Sequence, residues 1–128
     1  MAAKLNKHIL IVEDSQDMQF LLGMVFKREG YTLTQAFNGQ QALELLRAQP
    51  EVPSCILLDL MMPVMDGIQF RQVQRNDPHL ANIPVVILTA DSNPEAKAQQ
   101  MGVTHFFKKP IYNLNQLLEL VNSLSLVA

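Results

Sequence analysis

The most informative segment of the chain reads Cys55-Ile56-Leu57-Leu58-Asp59-Leu60-Met61-Met62-Pro63-Val64-Met65-Asp66-Gly67. Its aliphatic run is typical of a strand that is buried on both faces of a sheet. Asp59 falls at the carboxyl end of that strand, where open α/β sheets place their ligand sites. A buried carboxylate costs free energy unless a cation or hydrogen-bond donors compensate for it, so Asp59 is a candidate functional residue. The alternative is a solvated aspartate at the start of a loop.

Four more segments have the pattern of strands. Continuous aliphatic runs at 8–12 and 84–88 predict buried strands, and the weaker segments 31–36 and 105–107 predict shorter ones. Helices are predicted between them, with Ser15 as the first N-cap and Gly30 as its C-terminal stop. The first helix is expected to bury Met18, Leu21, Leu22 and Val25, and the last to bury Leu114, Leu117, Leu118 and Val121, with Leu120, Leu124 and Leu126 extending its apolar stripe.

The alternation of strands and helices predicts the fold class. Strands separated by helices form βαβ units, and these units build a parallel sheet. Five strands and five helices of this size predict an α/β protein with a flavodoxin-like, doubly wound (βα)5 sandwich, in which the parallel sheet has the strand order 2-1-3-4-5.

Length and composition limit the possibilities further. At 128 residues, the chain is the size of one ordinary domain, so we expect a single domain over 1–128 with a core over about 8–124. No segment approaches the ~18 apolar residues of a membrane span, and the polar start of the chain does not resemble a secretory signal, which predicts a cytoplasmic protein. The net charge of −2 gives no electrostatic reason to expect nucleic-acid binding. Cys55, the single cysteine, is expected to be a small buried hydrophobic residue.

Polar residues with useful chemistry follow the predicted strands. Glu13 and Asp14 follow the first strand, Asp59 ends the third, Thr89 ends the fourth and Lys109 follows the fifth. Because these ends share one edge of a parallel sheet, three carboxylates should lie together and repel one another unless a cation separates them. Mg²⁺ is the hard divalent ion that prefers such oxygen ligands. The set suits phosphoryl transfer in which Asp59 is the nucleophile and forms an acyl phosphate.

Four motifs in this order resemble the receiver domain of two-component response regulators, and the resemblance covers the chain from about His8 to Leu124. The chain resembles a single-domain receiver of the chemotaxis-regulator type. The motifs are Ile-Val-Glu13-Asp14-Ser, Leu-Leu-Asp59-Leu-Met-Met-Pro-Val-Met-Asp66-Gly67, Ile-Leu-Thr89-Ala90 and Phe106-Phe107-Lys108-Lys109-Pro110.

The resemblance implies how the acidic residues work. Asp59 would accept a phosphoryl group from a histidine kinase or a phosphotransfer protein. Glu13, Asp14, Asp59 and the backbone carbonyl of Met61 would hold Mg²⁺. The chain would be a phosphorylated signalling switch rather than an enzyme, with slow intrinsic autophosphatase activity.

The resemblance also implies roles for residues outside the acidic cluster. Lys109 matches the family's lysine because it directly precedes a proline, and the bond between them is expected to be cis. Thr89 would move toward a bound phosphoryl oxygen, and Phe106 would turn inward to fill the vacated space. The alternative role of Phe106 is plain packing on a short strand. Met61 and Asp91 occupy the positions at which the family tunes the lifetime of the acyl phosphate.

The same resemblance suggests partners and leaves alternatives open. A downstream protein target is expected, a homodimer is allowed, and no output domain is expected after residue 128. The spacing of twenty residues between Thr89 and Lys109 (109 − 89) predicts a short or irregular helix after Pro94. The alternative functions are a Mg²⁺-dependent phosphatase of the haloacid-dehalogenase type, a flavin-binding domain and an interaction-only pseudo-receiver. Against the phosphatase, Met61 stands where that family needs a second aspartate.

Overall fold

A five-stranded parallel sheet forms the centre of the computed structural model, which describes residues 4–127. Two further strands are short. The strands are β1 (Lys4–Leu5), β2 (His8–Val12), β3 (Thr32–Ala36), β4 (Cys55–Asp59), β5 (Val85–Thr89), β6 (His105–Lys108) and β7 (Leu126–Val127). The large sheet has the order β3-β2-β4-β5-β6. If only its five strands are counted, this is the predicted order 2-1-3-4-5, and the flavodoxin-like layout is confirmed.

The described part of the chain has five helices, and each begins after a residue whose side chain caps it. They are α1 (Gln16–Arg28), α2 (Gly39–Ala48), α3 (Gly67–Arg75), α4 (Pro94–Met101) and α5 (Leu114–Leu124). The side chain of Ser15 accepts a hydrogen bond from the Met18 amide at the start of α1, as predicted. Gly30 follows this helix with a φ of 87°, which glycine adopts without steric cost. Helix α4 has only eight residues, so the expected shortening after Pro94 is also confirmed.

The helices form a layer on each face of the sheet. Alternate residues of β2 point to opposite faces, with Ile9 and Ile11 packed on the side of α1 and α5, and Leu10 and Val12 on the side of α2, α3 and α4. Every residue of β4 and β5 is buried, which explains why these strands read as continuous apolar runs. None of the helices in the described range is long and apolar enough to cross a membrane. The predicted domain limits at 1 and 128 lie outside the described residues.

The predicted buried face of α1 is partly wrong. The residues of this helix that are buried are Gln19, Leu22, Gly23 and Phe26. Leu21 is 38% exposed, while Met18 and Val25 are only partly buried. The prediction counted large apolar side chains only. The helix is rotated so that Gly23, which has no side chain to hold it away, lies against β3 and a buried glutamine shares the core face.

The end of the chain also differs from the prediction. Helix α5 stops at Leu124, and Leu126 belongs to β7, which pairs antiparallel with β1. The side chain of Leu126 is 55% exposed and therefore does not extend the buried stripe of the helix. Ser125, which is buried, directs its hydroxyl to the Val121 carbonyl at 2.8 Å and ends the helical turn. Neither short strand was predicted, because two residues are too few to show a period.

Cys55 should react with thiol reagents only when the protein unfolds. It is free and fully buried, and burial raises the pKa of its thiol to about 12. Because only the thiolate is nucleophilic, we expect no labelling by a disulfide reagent at pH 8 in buffer and complete labelling in denaturant. Fast labelling of the native protein would contradict this and show that the core around Cys55, at the start of β4, opens readily.

Candidate functional site

The register of the sheet brings the predicted site residues to one edge. In the parallel ladders, Val12 pairs with Leu58, Asp59 with Leu88, and Thr89 with Lys108. The residues that end or follow β2, β4, β5 and β6 therefore lie at the same height. Their side chains can meet above the carboxyl edge, which is where α/β sheets bind ligands.

The loop after β4 is held close to the strand end by a glycine and a helix cap. The Gly67 amide donates to the Leu60 carbonyl at 3.0 Å. A Cβ atom at Gly67 would lie 2.4 Å from the Asp59 carbonyl oxygen, so no side chain fits there. Asp66 and Gln69 form a reciprocal capping box at the start of α3. The Asp66-Gly67 pair therefore allows α3 to begin directly against the Asp59 junction.

Three carboxylates converge at this edge. Glu13, Asp14 and Asp59 each offer an oxygen atom, and these atoms lie within 4.8 Å of one another. Glu13 and Asp59 are buried, whereas Asp14 is exposed at the mouth of the site. The second carboxylate oxygen of Glu13, Oε2, is buried without a hydrogen-bond partner within the described range. Such a cluster is strongly acidic and short of positive charge.

One lysine reaches into the cluster. The Lys109 Nζ lies 2.5 Å from Glu13 Oε1 and 3.5 Å from Asp59 Oδ1. Its backbone amide donates to the Thr89 carbonyl at 2.7 Å, which ties the segment after β6 to the end of β5. The Lys109-Pro110 peptide bond is cis, as expected.

The pKa of Glu13 reflects its burial and the nearby carboxylate of Asp59. Burial away from water raises its pKa to about 8, and the neighbouring Asp59 carboxylate acts in the same direction, while Lys109 opposes both. A single lysine is therefore too little positive charge for three carboxylates at this range. A further cation beside these carboxylates would favour their ionised forms and so oppose the rise in the Glu13 pKa.

A cleft beside the acids contains most of the other predicted residues. It has a volume of about 490 Å³, and its lining includes Asp14, Met61, Thr89 and Asp91. Thr89 is fully buried, and its hydroxyl accepts a hydrogen bond of 3.1 Å from the Asp91 amide. Met61 is 74% exposed. Its amide lies 3.4 Å from Asp59 Oδ1.

Phe106 is a predicted residue that lies outside both the acidic cluster and the lining of the cleft. It pairs with Ile87 in the ladder between β5 and β6, two residues before Thr89 on the neighbouring strand. Its side chain is 36% exposed. The structure thus brings Glu13, Asp14, Asp59 and Lys109 into one cluster, with Thr89, Met61 and Asp91 around the adjoining cleft.

Sequence reasoning missed one polar residue that touches the site from behind. Gln19 in α1 is buried, and its side-chain nitrogen donates to the Glu13 carbonyl at 3.1 Å. Gln19 could have been found from the sequence, because it lies at helical spacing from the apolar residues Leu22 and Phe26. The large apolar residues beside Gln19, Met18 and Leu21, instead predicted a different buried face.

The family of the chain follows from a comparison with known proteins. The family model described as the response regulator receiver domain matches residues 9–122. The chain belongs to the response regulator receiver family. Receiver domains are phosphoacceptor switches of two-component signalling, and the match supports this function over the phosphatase and flavin-binding alternatives.

Curated relatives agree with this assignment. The receiver is 38% identical over 108 residues to the sporulation initiation phosphotransferase F of Bacillus subtilis, covering 83% of this chain and 84% of that protein. It is 36% identical to the transcriptional regulatory protein SrrA of Staphylococcus aureus, again over 83% of this chain. This receiver spans only 43% of the length of SrrA.

Solved structures of receivers have the same fold. The receiver domain of a signal transduction histidine kinase from Syntrophus aciditrophicus matches with a TM-score of 0.82 and 32% identity, covering 92% of this chain and 89% of that one. The receiver domain of the sensor histidine kinase PA1611 from Pseudomonas aeruginosa, which has a magnesium ion coordinated in its active-site cleft, matches with a TM-score of 0.81 and 25% identity. That match covers 92% of this chain and 96% of the other.

Proposed function

We propose that Asp59 is the phosphoacceptor of this receiver. The observation that carries the proposal is the position of its carboxylate, which ends a buried strand, lies in an acidic cluster with Glu13 and Asp14, and is 3.5 Å from the Lys109 ammonium. A nucleophilic carboxylate in phosphoryl transfer needs positive charge on both sides of the transferred group. Lys109 supplies one such charge.

The second charge in the proposal is Mg²⁺, held by Glu13, Asp14, Asp59 and the backbone carbonyl of Met61. The donor set fits, because it consists of oxygen atoms and includes the buried, unpartnered Oε2 of Glu13. When bound, the ion neutralises negative charge on the phosphoryl oxygens. The magnesium ion in the cleft of the PA1611 receiver supports the same choice here.

The chemistry assigned to the chain's own residues is a simple displacement. An Asp59 carboxylate oxygen forms a bond to phosphorus as the phosphorus–nitrogen bond of a phosphohistidine breaks, and the electron pair of that bond stays on the imidazole. Lys109 pairs with the transferred oxygens, exchanging part of its contact with Glu13 for them. Hydrolysis later adds water to the acyl phosphate and returns inorganic phosphate and the free carboxylate.

The switch proposed for this receiver uses Thr89 and Phe106. Thr89 lines the cleft, and its hydroxyl accepts from the Asp91 amide, which leaves the O–H group to donate to a phosphoryl oxygen. Thr89 would move toward that oxygen to make the bond. Phe106 would then move from its half-exposed position into the space behind Thr89. Phosphorylation would shift the population between two such states rather than build a new fold.

The partners and the tuning residues complete the proposal. The phosphoryl donor would be a sensor histidine kinase or a phosphotransfer protein, and the output would pass to a downstream protein target, with a homodimer as one arrangement. Met61 and Asp91, which line the cleft beside Asp59 and Thr89, would set the access of water and hence the lifetime of the acyl phosphate.

The proposal is tested by adding acetyl phosphate to the purified chain with Mg²⁺ or with a chelator. We expect the intact mass to increase by one phosphoryl group in the presence of Mg²⁺ only. A chain that stays unmodified in both conditions, and that also fails to bind beryllofluoride with Mg²⁺, would contradict the proposed phosphoacceptor function.

Two variants should distinguish the residues that bind Mg²⁺ from the residue that recognises the phosphoryl group. We expect Asp14→Ala to raise the Kd for Mg²⁺ by about tenfold or more, because it removes a charged ligand. Lys109→Ala should bind Mg²⁺ at least as tightly as the wild type, since it removes a competing cation, yet take up phosphoryl groups slowly. Calorimetry with Mg²⁺ and mass spectrometry with acetyl phosphate give the two readouts.

Lys108→Ala is the matched control, because Lys108 is adjacent in sequence and exposed. It should retain both Mg²⁺ affinity and phosphoryl uptake. If Lys109→Ala instead lost as much Mg²⁺ affinity as Asp14→Ala, the proposed division of roles between the lysine and the acids would be wrong.

A further inference from the structure

Gln19 makes an unusual set of contacts beneath the acidic cluster. It lies in the first turns of α1 and is 3% exposed. Its side-chain nitrogen, Nε2, lies 3.1 Å from the Ile11 carbonyl, 3.1 Å from the Glu13 carbonyl and 2.8 Å from the Ala36 carbonyl. One carboxamide therefore joins the end of β2 to the end of β3.

The orientation of this carboxamide is fixed by its surroundings. With three carbonyl oxygens around one position, only the nitrogen can occupy it, because an oxygen there would meet three other acceptors. The cost falls on Oε1, which is buried without a hydrogen-bond partner in the part of the chain that the structure describes. An apolar side chain would avoid that desolvation cost but would leave the carbonyls without this donor.

The contact restrains the backbone from which the acids project. The Glu13 amide donates to the Ala36 carbonyl at 3.0 Å, and the Glu13 carbonyl accepts from Gln19. The peptide units on both sides of the Glu13 Cα are thus held, and the Ala36 carbonyl accepts from both the Glu13 amide and the Gln19 side chain. This fixes the direction in which the Glu13 side chain and the adjacent Asp14 leave the strand.

We propose that Gln19 is a positioning residue for the divalent-cation site, acting through the backbone of Glu13 rather than by touching the ion. The inference rests on the proposed function, because it concerns the same acidic cluster. Groups that orient metal ligands from behind commonly change metal affinity by about 10–100-fold when they are removed.

The chain contains a matched control in Gln74. Its side chain is fully buried in α3, and its Nε2 donates to the carbonyls of Leu80 and Ile83 at 3.1 Å each. Gln74 is thus another buried glutamine whose nitrogen donates to backbone carbonyls, but it braces the loop before β5. Its Oε1 accepts from Arg71 Nη1 at 2.8 Å, and none of these partners is in the acidic cluster. A purely structural role would make the two glutamines equivalent.

The experiment compares Gln19→Met and Gln74→Met, which keep side-chain length and remove the amide donors. Both should unfold at lower urea concentration than the wild type. We expect the calorimetric Kd for Mg²⁺ to rise about tenfold in Gln19→Met and to stay at the wild-type value in Gln74→Met. Equal Kd values in wild type and Gln19→Met, or equal losses in the two variants, would overturn the positioning role.

Two further measurements keep the test decisive. If Gln19→Met does not fold, Gln19→Asn, in which the amide is withdrawn by one methylene, is measured in its place with the same expectation. In the wild type, the side-chain amide signals of Gln19 should shift when Mg²⁺ is added, while those of Gln74 stay unchanged, and unshifted Gln19 signals would count against the inference. If the wild type itself binds no Mg²⁺, it is the proposed function that fails.

Discussion

We expect Asp59→Asn to take up no phosphoryl group from acetyl phosphate under conditions that modify the wild type. The expected effect is all-or-none, because the amide removes the nucleophilic oxygen while keeping the size and shape of the side chain. Because asparagine and aspartate are nearly equal in volume, the exchange should be structurally mild even at this buried position. It also removes a negative charge from a crowded acidic cluster, so the variant should fold at least as well as the wild type. Intact mass and urea unfolding measure the two effects.

The control for this prediction is Asp77→Asn. Asp77 lies after α3, near Arg47 and away from the acidic cluster. Its variant should be modified to the wild-type extent, with the phosphoryl group on Asp59. Uptake by Asp59→Asn at the wild-type rate, or a phosphoryl group mapped to another residue in the wild type, would show that a different group is the acceptor.

Gly67→Ala should lower the free energy of unfolding by about 3 kcal/mol, at the upper end of the range for overpacked sites. The added Cβ would lie 2.4 Å from the Asp59 carbonyl oxygen and 2.9 Å from the Leu60 Cα, both backbone atoms that cannot rotate away. The strand end or the start of α3 must therefore shift. Because that shift moves Asp59, phosphoryl uptake should fall as well. Urea unfolding and the acetyl phosphate assay test both parts.

Gly23→Ala provides the comparison, since it also places a methyl group at a buried helical glycine. There the nearest atoms are Gln35 Nε2 and Leu33 Cδ1, both at 3.3 Å and both near the ends of side chains that can move. The helix propensity of alanine exceeds that of glycine by about 1 kcal/mol, which offsets the tight contact. We expect a stability close to that of the wild type. Equal losses in the two variants would mean that a general intolerance of added volume, rather than the Asp59 contact, is responsible.

The strands and the acidic cluster were predictable because their signals are local. Cys55 to Leu58 form an aliphatic run that ends in a carboxylate, and such runs are typical of strands covered on both faces. Once a parallel sheet is assumed, topology alone places Glu13, Asp14, Asp59 and Lys109 at one edge. The contacts among them then follow from the register rather than from any detail of side-chain packing.

The rotation of α1 could not be read from the sequence in the same way. An apolar stripe of large residues predicted one face, but the helix buries Gln19 and Gly23 and leaves Leu21 partly exposed. The rotation depends on Gly23 fitting against β3 and on the three carbonyls that surround the Gln19 side-chain nitrogen. Both are properties of the assembled sheet and not of the helix sequence.

The short strands β1 and β7 and the aromatic residue Phe106 show the same limit. Leu126 continues the spacing of α5, yet Ser125 turns the chain into β7, where pairing with β1 decides the conformation. The family resemblance predicts that Phe106 changes position. The structure shows a single conformation, in which its side chain is 36% exposed. Its inward movement stays a prediction.

The central claim is that four strand junctions form one pocket, which captures a cation and then a phosphoryl group. The most direct test is the amide nuclear magnetic resonance spectrum of the chain, recorded with Mg²⁺ and then with beryllofluoride. The account predicts that both additions shift the same signals most strongly, those of Glu13, Asp14, Asp59, Met61, Thr89 and Lys109, with beryllofluoride acting only when Mg²⁺ is present. Shifts that are scattered over other faces, or that leave one of the four junctions unaffected in both steps, would contradict it.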